Sequence, residues 1–272
     1  MLGSYQKFAI AAGVCCGLAA TTHAAWLAPT NGWDFEYEAT SGQRPNELAT
    51  DPWTRSGYDN NTSRLETDAV DPTRDVLYLY NFPTNASFSG YFSLTSGAGA
   101  GDGSGLLTID VEFRIRAGSG TIPGDDQPQW ALWLRRDDRQ YVVRFARDRI
   151  IVNHTAENEE GVEEINFIPV LVDLGTTWHT VRLLVDSNQQ LASVYLDGSN
   201  VALASGFNGH ASPGNNNVAF GDGTSAVAGA VNFTFLRIAN GELAAVPEPA
   251  AMTVMFGGAL ALAARRRSGR RA

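Results

Sequence analysis

Hydrophobic and polar residues alternate in short runs along most of this chain, and Gly, Asn, Asp and Pro separate the runs. Side chains alternate between the two faces of a strand, so this pattern is typical of antiparallel strands with one buried face. The predicted strands are WDFEYEA (33–39), DVLYLYNF (75–82), SFSGYFSL (87–94), LLTIDVEFRIRA (106–117), WALWLRR (130–136), QYVVRFA (140–146), RIIVNH (149–154), EINFIPVLV (164–172), WHTVRLLVD (178–186), LASVYLDG (191–198), NNVAFGD (216–222) and AVNFTFLRIA (230–239).

A dozen short strands within residues 25–245 predict an all-β fold, a two-sheet antiparallel sandwich. No heptad, internal repeat or long amphipathic helix competes with this interpretation. The Gly-rich stretch SGAGAGDGSG (96–105) is predicted to be a loop within one domain, because predicted strands flank it closely.

The run LLTIDVEFRIR separates cleanly into two faces. We expect one set of residues to lie in the core and the alternate set to face water. The core set is Leu107, Ile109, Val111, Phe113 and Ile115; the outer set is Thr108, Asp110, Glu112, Arg114 and Arg116.

The segment WALWLRRDDRQYVVRFA (130–146) predicts a hairpin that turns at Asp137-Asp138. A two-residue loop pairs Leu134 with Tyr141, Leu132 with Val143 and Trp130 with Phe145, all toward the core. The opposite face then carries Trp133, Arg135, Gln140 and Arg144. Aromatic planes stack on flat ligands and Arg is enriched at binding surfaces, so this face is a candidate ligand surface.

Asp110 and Glu112 join this candidate surface as outward polar groups. Two alternatives remain open for Trp133: an exposed aromatic with no function, or a face covered by a loop.

The charge of the chain is divided between its ends and its middle. Lys7 and five terminal arginines account for the basic ends, while residues 25–249 hold 14 arginines, no lysine and all 29 acidic residues, a net charge near −15. This balance excludes a general polyanion binder, and no nucleic-acid partner is expected. The acidic run ENEEGVEE (157–164) predicts a solvated loop, with a cation site as the alternative.

The first residues have the order of a secretory signal peptide: Lys7, an apolar stretch over 8–20, and small residues near Ala24. We expect residues 1–24, a signal-peptide helix, to be removed by cleavage after Ala24 rather than after Ala25. Cys15 and Cys16 both lie in this segment, so no disulfide is expected in the mature chain.

The last residues, VPEPAAMTVMFGGALALAARRRSGRRA (246–272), combine a two-proline motif, an apolar run and a basic end. A helix over about 250–264 would span roughly 22 Å, less than the ~30 Å hydrocarbon core, and is a marginal transmembrane helix. Arg265, Arg266 and Arg267 would resist translocation and hold this end in the cytoplasm.

The order Val246-Pro247-Glu248-Pro249, apolar helix and arginine cluster resembles the PEP-CTERM sorting signal. The resemblance implies recognition by an exosortase at the inner membrane, followed by cleavage near the motif. It also implies export to the cell surface or extracellular matrix of a Gram-negative-type bacterium, with exopolysaccharide as a frequent associate.

Two stretches are similar to laminin-G-like, concanavalin A-like jelly rolls: TTWHTVRLLVDSNQQLASVYLDGSNVA (176–202), with a tight turn at Asp197-Gly198, and NNVAFGDGTSAVAGAVNFTFLRIANGEL (216–243). This resemblance implies a jelly roll over 25–245 and, for many members, binding of sugars or proteins. Members of that family can also hold calcium at a loop edge, and calcium stays an alternative without assigned ligands.

The same superfamily includes laminarinase-type hydrolases, whose active strand begins with a nucleophilic Glu. Here the matching stretch is TIDVE, and Thr108 occupies the nucleophile position. A hydroxyl without an activating base does not replace that carboxylate, so no catalytic residue is assigned.

His154, His179 and His210 lack metal-ligand spacing, and no cofactor is expected. A glycan-active enzyme with an unrecognised carboxylate pair and a purely structural matrix protein remain alternatives.

Overall fold

A computed structural model describes residues 26–49, 53–59, 62–80, 90–94, 105–116, 130–157, 163–222 and 229–246. Within these ranges the chain forms strands and two short 3-10 helices, Ala39–Ser41 and Pro45–Glu47. In chain order the strands are β1 (Phe35–Glu38), β2 (Thr54–Ser56), β3 (Ser63–Thr67), β4 (Asp75–Tyr80), β5 (Gly90–Leu94), β6 (Leu106–Ile115), β7 (Trp130–Arg136), β8 (Arg139–Phe145), β9 (Arg149–Glu157), β10 (Glu163–Leu171), β11 (Trp178–Asp186), β12 (Leu191–Leu196), β13 (Ala204–Phe207), β14 (His210–Ala211), β15 (Asn217–Asp222) and β16 (Ala230–Asn240).

The strands form two antiparallel sheets. The first sheet has the order β13-β12-β11-β6-β16-β4-β3, with β1 also paired to β16. The second sheet has the order β10-β9-β8-β7-β15-β5-β2, with β14 also paired to β8. Some neighbouring strands are far apart in sequence, as β16 and β6 are, while others, such as β7 and β8, follow each other directly. The predicted all-β, two-sheet antiparallel fold is confirmed.

Each of the twelve predicted strands is present where the structure describes the chain. Four strands escaped prediction: β2, β3, β13 and β14. All four are short, and most of their residues are polar or small, so they lack the alternating apolar signal. The acidic run at 157–164, predicted to be a loop, is entered by strands at both ends: Glu157 ends β9 and Glu163 begins β10. Residues 158–162 lie outside the described ranges.

Aromatic rings join the two sheets. Trp130 of the second sheet stacks on its neighbour Phe145, with ring centroids 4.0 Å apart. From the first sheet, Phe113 and Phe233 meet the edge of Trp130 at 4.6 and 5.0 Å. All four side chains are essentially inaccessible to water. Such edge-to-face contacts add to the free energy gained by burying the rings, so this cluster anchors one sheet on the other.

The hairpin of β7 and β8 has the predicted register. Leu134 pairs with Tyr141, and Trp130 pairs with Phe145. The turn residues Asp137 and Asp138 have φ values of 49° and 62°, a left-handed conformation that aspartate tolerates better than most residues. The two-residue turn therefore sets which residues of both strands point outward.

The outer side of β6 differs from its prediction. The core set, from Leu107 to Ile115, is buried as expected, but Thr108, Asp110 and Arg114 are buried as well. The expectation that the alternate set faces water was wrong for these three residues. Alternation identified the inner face correctly and could not show that other parts of the chain lie across the outer face.

Two segments, residues 26–31 and 242–246, cover this outer face. The Thr108 hydroxyl donates to the carbonyl of Glu242 and accepts from the N–H of Ala244, at 2.8 and 2.9 Å. Arg182 makes two 2.7 Å hydrogen bonds to the Asp110 carboxylate, and its Nη1 donates to the carbonyls of Leu27 and Ala245. Arg182 therefore fastens the two covering segments to the first sheet.

The turn at Asp197-Gly198 holds His179. Asp197 and Gly198 have φ values of 51° and 73°, as expected for a tight hairpin turn. His179 Nδ1 faces the Asp197 carboxylate at 2.8 Å, and Nε2 faces the Leu174 carbonyl at 2.7 Å. Burial alone would lower the pKa of His179, but the hydrogen bond and charge of Asp197 and the Leu174 carbonyl raise it above its usual value. His179 itself is buried.

Truncating Phe233 should destabilise the fold strongly, because the cavity would open inside the aromatic cluster. We expect Phe233→Ala to lower the free energy of unfolding by about 3–5 kcal/mol, measured by urea titration. Phe235→Ala is the matched control, since the Phe235 ring is only partly buried and packs on the Arg237 guanidinium. Equal losses in the two variants would contradict the assignment of the core.

Replacing Asp197 with Asn should lower the pKa of His179, while Asn keeps the acceptor for the Thr180 N–H. A raised pKa in the folded state means that protonation favours folding. The stabilisation is complete below the unfolded pKa of about 6.5 and is lost as pH rises through the folded value. In Asp197→Asn this dependence should flatten. NMR titration of the imidazoles measures the shift, with His210 as internal control; an unchanged His179 titration would contradict the pairing.

Candidate ligand-binding face

The outer face of the second sheet presents one tryptophan in a row of small or aliphatic residues. Trp133 lies opposite Val142 on one side and opposite Ala219 on the other, and Ala219 lies opposite Ser93. Trp133 is partly exposed, while Val142 and Ala219 are buried. The indole therefore protrudes from the surrounding sheet surface, because the side chains next to it are small or aliphatic.

A second aromatic ring stands beside Trp133. The ring of Tyr91 lies 6.5 Å from the indole at an angle of 65°. Gly221 separates Tyr91 from Ala131 in the next row of the sheet. A side chain at Gly221 would collide with the backbone, since its Cβ would lie 2.4 Å from the Gly90 carbonyl oxygen. Position 221 therefore requires glycine, and no side chain stands between Tyr91 and Ala131.

Polar side chains border the aromatic pair on the turn side of the hairpin. Arg135 lies opposite Gln140, whose amide oxygen accepts from the Ser212 hydroxyl at 3.3 Å. The Arg135 guanidinium packs against Gly214, where a Cβ would lie 2.5 Å from Nη1. A planar guanidinium and an amide beside two rings can donate and accept hydrogen bonds while the rings provide apolar contact.

Arg144 borders Trp133 on the side away from the turn. It lies opposite Ala131 and is thus a diagonal neighbour of Trp133 across the hairpin. Its guanidinium carbon lies 4.4 Å from the centre of the Phe167 ring on β10. We call this surface, formed by Tyr91, Trp133, Arg135, Gln140 and Arg144, the Trp133 face.

The structure brings together four of the six predicted ligand-surface residues: Trp133, Arg135, Gln140 and Arg144. Asp110 and Glu112 lie on the outer face of the first sheet, on the opposite side of the sandwich. Asp110 is bound to Arg182, and Glu112 accepts hydrogen bonds from Arg74 and Thr234. Their placement with the Trp133 group was wrong, because alternation along a strand does not reveal to which sheet it belongs.

Two residues of this site were not predicted: Tyr91, which belongs to the Trp133 face, and Phe167, which packs against Arg144. Tyr91 could have been found, because GYFSL places Phe92 and Leu94 inside and Tyr91 outside. Phe167 could not be placed this way. Its strand β10 is exposed along nearly its whole length at the sheet edge and shows no alternating burial.

The parts of the chain that the structure describes contain no group of three or more His, Asp or Glu side chains arranged to bind a metal ion. None of their helices combines the length and apolar character needed to cross a membrane. The predicted cleavage site at Ala24 and Ala25, the motif residues Pro247, Glu248 and Pro249, and Arg265, Arg266 and Arg267 lie outside the described residues.

Comparisons with known proteins give a likeness of structure and none of sequence. No family model matches the chain, and no curated protein matches it significantly. The fold is similar to that of the carbohydrate esterase vb_24B_21 from the Shiga toxin-encoding bacteriophage phi24B, with a TM-score of 0.51 and 15% identity over 76% of this chain and 97% of that chain. It is also similar to the binding domain of Paraclostridial Mosquitocidal Protein 1, with a TM-score of 0.51 and 10% identity over 78% of this chain and 50% of that chain.

Both identities are low, so the likenesses concern the fold. They agree with the jelly-roll type of sandwich that the two antiparallel sheets indicate. The chain spans about half the length of the mosquitocidal binding domain, so its likeness covers one part of that protein.

Proposed function

We propose that this chain is an exported, non-catalytic carbohydrate-binding protein of the cell surface or extracellular matrix, and that the Trp133 face is its sugar site. The observation that carries the proposal is the pairing of Trp133 with Tyr91 on an outer sheet face, bordered by Arg135, Gln140 and Arg144. Sugar rings have an apolar face that stacks on an aromatic plane, and their hydroxyls need hydrogen-bonding groups at the rim.

The contrast with the other side of the sandwich supports this choice of face. There, Trp178 is held between arginines, with the guanidinium carbons of Arg74 and Arg114 at 4.7 and 5.5 Å from its ring. Those arginines in turn bind Glu112 and Asp68. The ring of Trp178 is occupied by its own protein, whereas Trp133 has one aromatic neighbour at 6.5 Å and no cation over its ring among the described residues.

The absence of catalysis in this proposal is supported by the state of the TIDVE stretch. The Thr108 hydroxyl holds the covering segment near Glu242, and Asp110 is committed to Arg182. A retaining hydrolase needs two carboxylates facing one substrate.

The phage protein of similar fold is named a carbohydrate esterase, which supports sugars as the ligand class for a sandwich of this kind.

Export and sorting complete the proposal and rest on the two ends of the sequence. The signal peptide would direct the chain across the inner membrane. An exosortase would then recognise the motif that begins at Val246, and the basic cluster Arg265–Arg267 would stop transfer. Exopolysaccharide in the matrix is the ligand that this location would offer.

A glycan array probed with the full chain tests the sugar site. We expect binding to at least one polysaccharide fragment, and a loss of about tenfold or more in affinity for Trp133→Ala, because burying an aromatic face contributes roughly 1.5–3 kcal/mol. Trp178→Ala is the matched control: it removes the same side chain from the opposite face and should retain affinity. Absence of any sugar binding, or equal losses in both variants, would overturn the proposal.

Mass spectrometry of the chain from its native host tests the sorting part. The mature protein should begin at Ala25 and should have lost the segment after the Val246–Pro249 motif. An intact C-terminus in the envelope fraction would contradict exosortase processing and would leave a simple membrane anchor as the explanation.

A further inference from the structure

The arginines on the two outer faces differ in whether acidic side chains of the protein neutralise their charge. On and beside the outer face of the first sheet, arginines form ion pairs with acidic neighbours. These pairs are Arg64 with Glu66, Arg74 with Asp71 and Glu112, Arg114 with Asp68, Arg116 with Glu66, Arg182 with Asp110, and Arg237 with Glu36 and Glu38. The charge of that face is thus balanced within the protein.

Arg135 and Arg144 of the Trp133 face have no such partner. Neither guanidinium lies within ion-pair distance of a carboxylate in the described ranges, and the Nε atom of each is buried without a hydrogen-bond acceptor. Arg144 is half buried against Phe167, and this burial lowers its pKa below the usual value for arginine. Two cations are therefore held at the surface with part of their hydration removed.

An unpaired, partly desolvated cation is costly to a folded protein, and natural structures balance such groups with an anion. The chain has acidic residues to spare, since residues 25–249 carry 29 of them against 14 arginines. In the described parts of the chain, none has been placed beside Arg135 or Arg144. The lack of an acidic partner at these two arginines indicates that a ligand supplies the balancing anion.

The geometry suits an anion that is attached to a sugar ring. Arg135 follows Trp133 by two residues on β7, and Arg144 lies level with Ala131, two residues before Trp133. The two guanidinium groups thus originate roughly 7 Å to either side of the indole along the strand. A ring stacked on Trp133 would place a carboxylate or sulfate ester attached to it within reach of a long, planar guanidinium, which binds such groups through two parallel hydrogen bonds.

We propose that the Trp133 face binds an anionic polysaccharide, with a sugar ring on Trp133 and its carboxylate or sulfate group on Arg144, and with Arg135 available to the neighbouring unit. This inference rests on the proposed sugar site and names its ligand class. The acidic domain as a whole repels polyanions, so recognition depends on contacts at these two arginines and not on the general field of the protein.

Calorimetry with the full chain tests the ligand class through pairs of probes that share a sugar backbone, with only one member of each pair bearing the negative charge. Oligogalacturonate and its methyl ester test the carboxylate, and dextran sulfate and dextran test the sulfate. We expect the charged member of at least one pair to bind at least about tenfold more tightly than its neutral partner. One hydrogen bond to a charged group changes an affinity by about this factor. The pair that shows the difference identifies the anion.

Variants then locate the anion. Arg144→Gln should lower affinity for the charged probe by about 10- to 100-fold, with little change for its neutral partner. Arg144→Lys keeps the charge without the planar fork and should lose less. Arg64→Gln, on the opposite face, is the matched control for loss of one positive charge and should bind as the wild type does. Thermal unfolding of each variant checks that the fold is retained.

The outcomes separate this inference from the proposed function. Equal affinity for charged and neutral probes, with no effect of Arg144→Gln, would overturn the anionic ligand and leave the sugar site standing. An equal loss in Arg64→Gln would overturn it too, because the effect would then be one of net charge. Binding that survives Trp133→Ala but not Arg144→Gln would overturn the stacked sugar ring. Failure of every probe and every glycan to bind would overturn the proposed function itself.

Discussion

The packing of Trp130 against Phe113, Phe145 and Phe233 is the interaction on which the rest of the molecule depends. It joins residues of β6 and β16 to residues of β7 and β8, so each sheet is held by the other. The described part of the chain contains no cysteine, and this apolar contact has to hold the sandwich without a covalent link. Because the inner faces are committed to packing, recognition can take place only at the outer faces and the loops.

The two outer faces use arginine in opposite ways. On the first sheet, Arg182 and Arg114 are buried and bonded to Asp110 and Asp68, and there they organise the fold. Breaking one such buried pair would leave an uncompensated charge, which makes that face hard to change without loss of stability. On the second sheet, Arg144 contributes its packing on Phe167, and its charge stays available to a ligand. Arginine therefore serves structure on one side, and on the other side it is the residue type for which we propose a role in recognition.

The sequence predicted this fold well where local rules decide it and poorly where distant segments meet. The turn at Asp137-Asp138 set the register of β7 and β8, so the burial of Trp130 and the outward position of Trp133 could both be predicted. The burial of Thr108 could not, because it depends on residues more than a hundred positions away that have no periodic pattern. For the same reason Asp110 and Glu112 were grouped with Trp133: strand membership of a sheet is a long-range property. Phe167 was missed because an exposed edge strand lacks alternation.

The hydrogen bonds of Arg182 to both Leu27 and Ala245 have a consequence for how the domain is oriented. They bring the beginning and the end of the sandwich to one point, on the side opposite the Trp133 face. A tether joined to the chain beyond Val246 would pull from behind the first sheet. The Trp133 face would then point away from the support to which the tether is attached. Neighbouring molecules anchored in the same way would all present this face in the same direction.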